Sequence, residues 1–155
     1  MARDGAKLLA VLIDAGHRVL GVDASATMVR QATARNRAAT RDGRADLRHG
    51  DGITIPFPDH SADAAFTVPT TYFMPAPTAT LTDIARVLRT GGRLVIACRT
   101  SDTPPPAWMD PHVYRIPTAT HITAMLHTAG FGQIEHRPGD ASNLGTHLFT
   151  GHATT

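Results

Sequence analysis

The sequence predicts an α/β domain with a mostly parallel sheet, and three observations carry that reading. Segments of helical period alternate with short apolar runs that lack it, the pattern of helices packed on a buried sheet. The first two such runs end on or next to an acidic residue, Asp23 and Asp51, as strands leading into ligand-binding loops do. The last two runs follow each other around a Gly-Asp turn, so the closing pair is expected to be antiparallel.

The elements follow in order. From Gly5 to Ala15, Leu8, Leu9, Leu12 and Ile13 fall on one helix face, and Gly16 is a stop signal. His17 to Asp23 reads as a buried strand. Ser25 is placed to cap a helix carrying Met28, Val29 and Ala32, which is expected to dissolve into the Arg-rich stretch up to Arg44. Ala45 to His49 is a weaker strand, and Pro56 and Pro58 mark Ile53 to Ser61 as a loop. Ala62 to Val68 suits a strand buried on both faces. After a Pro-rich loop, Thr80 and Asp83 resemble a capping box for a helix with Leu81, Ile84, Ala85 and Leu88, closed by Gly91-Gly92. Leu94 to Cys98 is the cleanest strand. Arg99 to Pro117 is a long excursion containing Pro104-Pro105-Pro106, and Thr120 opens a last helix stopped by Gly130. Phe131 to His136 and Thr146 to His152 complete the strands.

Composition narrows the class. A chain of 155 residues is long enough for one well-buried core and short for two, so a single domain over 1–155 is expected. Fifteen Lys+Arg against 13 Asp+Glu leave a net charge of +2, too small an excess to demand a nucleic-acid partner. The lone Cys98 excludes an intrachain disulfide, and no run approaches the length of a membrane span. A soluble, cytoplasmic protein is expected. Nine histidines invite a metal reading, but none forms an i, i+4 pair, so no metal site is expected. The basic stretch Arg30 to Arg48 is interleaved with Asp42 and Asp46, which favours a solvated surface over a phosphate contact.

In open α/β sheets ligands sit beyond the carboxyl ends of the strands. Asp23, after its strand, fits a carboxylate accepting from a ribose diol; the competing role is favouring the N-terminus of the next helix. Asp51 suits an exocyclic amine such as that of adenine, or simply an Asp-Gly turn.

Gly16 to Ser25, His49-Gly-Asp-Gly52, Ala62 to Val68 and Ile84 to Ile96 together resemble successive motifs of class I S-adenosylmethionine-dependent methyltransferases of the type 11 group. The resemblance implies a Rossmann-like, doubly wound, mostly parallel sheet with an antiparallel last strand. It further implies S-adenosylmethionine as cofactor, with Asp23 on the ribose hydroxyls, Asp51 on the adenine amine, and Ala24, Gly52 and Ile53 walling the adenine. Thr67 would lie near the methionine part. Members of the group begin with a strand and a Gly-x-Gly-x-Gly loop, whereas this sequence starts at Met1-Ala-Arg-Asp-Gly5. Gly5 then matches the final glycine, and the first strand and Gly-rich loop are read as missing. The expectation is an N-terminally incomplete domain with weakened or lost methyl transfer.

On the substrate side, Tyr72, Trp108 and Tyr114 are candidates to line an apolar acceptor pocket or merely to cover the sheet edge. Thr67-Val-Pro-Thr-Thr-Tyr72 lacks the Asp/Asn-Pro-Pro-Tyr pattern of enzymes that methylate base amino groups, so the acceptor is expected to be a small molecule. Two competing functions stand beside this one. A non-catalytic Rossmann-like fragment would dock on a partner, and an NAD-dependent oxidoreductase would use the same acidic residue on its own ribose.

Overall fold

A computed structural model describes residues 3–68, 71–102, 104–105, 107–110, 112–140 and 145–155. The chain divides into two compact units, Met1–Phe57 and Pro58–Thr155. Each unit is built around its own sheet, the first of two strands and the second of four.

In the first unit, α1 (Arg3–Asp14) leads to β1 (Val19–Asp23), and α2 (Ala26–Arg35) and α3 (Arg37–Arg41) lead to β2 (Ala45–His49). Helix α1 buries Leu9 and Ile13, four residues apart on one face. Gly16, at φ 86°, turns the chain into β1 in a conformation that suits glycine. Ser25 caps α2 as expected, its side chain accepting from the Met28 backbone N–H at 3.3 Å. The Arg-rich stretch does not dissolve into loop. After a break at Asn36 it forms α3, because Ala39 then reaches a small core shared with Leu9, Ile13, Ala32 and Ala45. Strands β1 and β2 run parallel in register from Val19↔Ala45 to Asp23↔His49.

The second unit contains β3 (Ala62–Thr67), a 3-10 turn (Thr71–Phe73), α4 (Pro77–Val87), β4 (Leu88–Cys98), α5 (Ala119–Thr128), β5 (Phe131–Arg137) and β6 (His147–Ala153). Its sheet has the order β3-β4-β6-β5, with β3 and β4 parallel and β6 antiparallel to both neighbours. The α/β class and the antiparallel last strand are those expected from the sequence. Leu81, Leu88, Leu94, Ile96, Ile122, Leu126 and Phe149 are almost wholly enclosed and form the core.

Three local expectations are corrected here. Strand β3 is not buried on both faces: it is the edge of its sheet, and Phe66 remains 46% exposed. The α4 helix starts at Pro77, not at a Thr80–Asp83 capping box. Proline at the first helical position brings the required φ and lacks an N–H that would go unmet there. Thr80 lies inside the helix, its hydroxyl donating back to the Ala76 carbonyl, while Asp83 pairs with Arg86 at 2.7 Å. Gly91-Gly92 does not close that helix, which ends at Val87; the pair lies within β4, where the register against β3 shifts between Ala62 and Ala64.

Candidate functional site

The chemistry of the first unit gathers at the carboxyl ends of β1 and β2. Their parallel register carries Asp23 and the segment beginning at Gly50 to the same edge of the sheet. Two hydrogen bonds fasten the chains there: Gly50 N–H donates to the Asp23 carbonyl at 3.1 Å, and the His49 ring meets the Ala24 carbonyl at 3.1 Å. Gly50 is required by closeness, since a Cβ there would sit 2.6 Å from Val22 Cγ1.

Asp23, half-buried, accepts from the Ser25 backbone N–H at 2.8 Å, which fixes its carboxylate at the start of α2. Asp51 is exposed, and its Oδ1 accepts from the backbone N–H groups of Ile53 (2.8 Å) and Thr54 (2.7 Å). Those donors, Thr54 first and then Ile53, hold the Asp51 carboxyl below the usual carboxylate range, so it is an anion at neutral pH. Gly52, at φ 81°, makes the turn possible. The turn weighed for Asp51 is formed, and the Thr54 side chain adds to its two backbone donors. Ala24 is exposed beside Asp23, and Gly52 and Ile53 are half-buried.

Arg48 steadies this edge from below. It pairs with Asp46 at 2.7 Å, donates to the Pro56 carbonyl, and lies over the Phe57 ring at 4.5 Å, so the 50–57 loop is held against β2. Arg41 likewise pairs with Asp42. Two members of the basic stretch are therefore engaged with neighbouring carboxylates. Gly5 lies inside helix α1, not in a loop.

In the second unit, Thr67 ends β3. It is buried, and its hydroxyl has no hydrogen-bond partner among the described residues. Tyr72 is 4% exposed, and its hydroxyl accepts from the Arg99 backbone N–H. Burial pushes its phenol pKa up, so Tyr72 is a neutral core residue. Tyr114 packs edge-on against Tyr72 (6.2 Å) and Trp108 (5.9 Å), while Trp108 itself stays 70% exposed. The three aromatics form a cluster at the surface. Beside it, a pocket of about 340 Å³ is lined by Thr71, Met74, Ser101, Arg115, His121 and Met125, among others, and by none of those aromatics.

A polar chain that sequence reasoning missed runs through the same unit. His136 Nε2 and His147 Nδ1 share a hydrogen bond of 2.8 Å, and His147 Nε2 lies 3.2 Å from Thr100 Oγ1. Asp102, next along, accepts from the Ala119 N–H at the start of α5. His136 also stacks on Phe149 at 4.4 Å. The residues are far apart in sequence and carry no shared spacing; the antiparallel pairings of β6 with β5 and with β4 bring them together. No group of three or more His, Cys, Asp or Glu able to hold a metal occurs among the described residues. No helix among them is long and apolar enough to cross a membrane.

Comparison with known proteins places this geometry in context. The family model described as a methyltransferase domain matches residues 4–96. An O-methyltransferase of Aspergillus nomiae is 30% identical over 138 residues, covering 81% of this chain and 60% of its own length. A 24-methylenesterol C-methyltransferase of Oryza sativa is 27% identical over 121 residues, covering 78% of this chain and 31% of its own length. The chain therefore spans less than two thirds of either relative's length. Among solved structures, the cyclase SpnF superposes with a TM-score of 0.81 at 21% identity, covering 97% of this chain and 71% of that one. At that identity the likeness speaks for the fold alone, and a fold hosts many chemistries.

Proposed function

The chain belongs to the methyltransferase domain family, and from that premise we propose that it serves S-adenosylmethionine-dependent methyl transfer to a small molecule. The observation that carries this reading is the pair of acidic residues, Asp23 and Asp51, at one edge of a parallel two-stranded sheet, drawn together by the Gly50–Asp23 and His49–Ala24 hydrogen bonds. The donor set fits the cofactor. A half-buried carboxylate is suited to a ribose diol, and a second, exposed carboxylate suits an amine. Ala24, Gly52 and Ile53 offer small or apolar surface for the adenine. When bound, the cofactor brings a methyl group already activated by its sulfonium. The protein's own work is then to hold and align, which agrees with a site built from backbone turns and anchoring carboxylates and not from an acid–base relay.

The test is calorimetric titration of the 155-residue chain with S-adenosylhomocysteine and, separately, NADH. The expected result is binding of the first and not the second, weakened at least tenfold by Asp23→Asn, since one hydrogen bond to a charged group is worth about 1.5–3 kcal/mol. Tighter binding of NADH, or an Asp23→Asn variant that binds as well as the parent, overturns it.

A further inference from the structure

We propose that the pocket between the 3-10 turn and α5 binds a compact, mostly apolar carboxylic acid, with the carboxylate held by Arg115. Naming this ligand as the methyl acceptor rests on the methyl-transfer reading above; the binding itself does not. The pocket, at about 340 Å³, is of a size that encloses a small organic molecule. Met74, Pro77, Ile116, Pro117 and Met125 supply apolar walls, and Met74 is buried. The lining contains no acidic residue, and its ionisable groups are Arg115 and His121.

Arg86 and Arg89 in this unit spend their guanidinium groups on carboxylates, Arg86 on Asp83 and Asp59 and Arg89 on Asp63. Arg115 makes one long contact, 3.4 Å to the Met74 carbonyl, and pairs with no carboxylate among the described residues. A guanidinium presents five donors in a planar fork that matches a carboxylate with two parallel bonds, so most of its capacity is open to a ligand.

The neighbouring polar groups divide the same way. The start of α5 is already served, with Ala119 N–H on Asp102 and His121 N–H on the Thr118 hydroxyl, so the helix end does not compete for the anion. The Ser101 N–H donates to the Pro117 carbonyl at 3.0 Å, which ties together two walls of the pocket. Thr71 also lines the pocket, but its hydroxyl is enclosed and meets the Cys98 thiol, so it takes no part in holding the ligand. One fork-shaped cation at an apolar pocket selects one planar anion in preference to a phosphate dianion, which calls for more donors.

The experiment titrates the full chain, without cofactor, with phenylacetate, phenylacetamide and phenyl phosphate, following backbone amide shifts by NMR. Phenylacetate is expected to shift the amides of Ser101, Arg115 and His121, with phenylacetamide at least tenfold weaker. Arg115→Ala is expected to abolish that preference while leaving the melting temperature unchanged, and Arg115→Lys to restore it in part. Equal binding of acid and amide, tighter binding of phenyl phosphate, shifts lying elsewhere, no shifts at the solubility limit, or an Arg115→Ala variant that keeps the preference each overturns the proposal. With no cofactor present, that failure leaves the cofactor reading standing, and failure of S-adenosylhomocysteine to bind leaves the pocket standing.

Discussion

The two units of this chain solve the same packing problem with different means. The first closes a two-stranded parallel sheet with helices whose buried residues are mainly small, Ala32, Ala39 and Ala45 beside Leu9 and Ile13. The second has a four-stranded sheet and encloses Phe149, Leu81, Leu88, Leu94, Ile96, Ile122 and Leu126 almost completely. Buried apolar area is the main source of stability, at roughly 25 cal/mol per Å². The second unit is accordingly the stable one, and the first holds its shape through local polar fastenings: the Ser25 cap, the Asp23 and Asp51 turns, and Arg48 on its loop. The unit with the thinner core is also the one in which two carboxylates stand at the strand ends, so precision there comes from hydrogen bonds and not from bulk packing.

The sharpest way to break that comparison is to empty the larger core. Phe149→Ala removes a fully enclosed ring from the central part of its sheet and is expected to cost about 3–5 kcal/mol, read from urea unfolding followed by circular dichroism. Native-state hydrogen exchange on the same variant is expected to speed the β4 and β6 amides most. Slower exchange in β1 and β2 than in β4 and β6 of the parent protein would reverse the ranking of the two units.

A smaller effect is expected from pH. Burial, then the charge of His136, pushes the His147 imidazole below its ordinary value; Asp102 acts the other way and Arg99 adds to the depression. His147 is therefore neutral in the folded chain, and the unfolded chain takes up the proton first. Its contribution is complete above the unfolded value of about 6.5 and is lost as pH falls below it. The melting temperature is expected to drop by a few degrees between neutral and mildly acidic pH. A His147→Gln variant should lose most of that slope, and an unchanged slope would place the sensitivity elsewhere.

The smallest expected effect lies in the first unit. Ser25→Ala removes the hydroxyl that meets the Met28 N–H and is expected to cost about 1 kcal/mol. Because Asp23 is fixed by the neighbouring Ser25 backbone, the side-chain change should leave S-adenosylhomocysteine affinity within about threefold of the parent. A larger loss by calorimetry would mean that the cap itself shapes the site.

The sequence by itself determined most of the elements and their order, though not α3, because period and punctuation are local properties. Leu9 and Ile13 on one helix face, Ser25 before α2 and the uninterrupted Leu94 to Cys98 run are each readable within a few residues. The acidic residues after the first two strands were legible for the same reason, since position after a strand is a matter of order along the chain. Where local signals competed, the sequence misled. A Thr-x-x-Asp pattern was outranked by Pro77, and an apolar run at Ala62 was read as interior although it forms an edge. What only the tertiary structure decided is which distant residues meet. The closeness of Gly50 to Val22, the hydrogen bond joining His136 to His147 and the placing of Arg115 beside a pocket, with no carboxylate partner among the described residues, all depend on strand register and chain packing. Side-chain chemistry is written in the sequence, but whether a charge finds its partner depends on distances that only the folded chain sets.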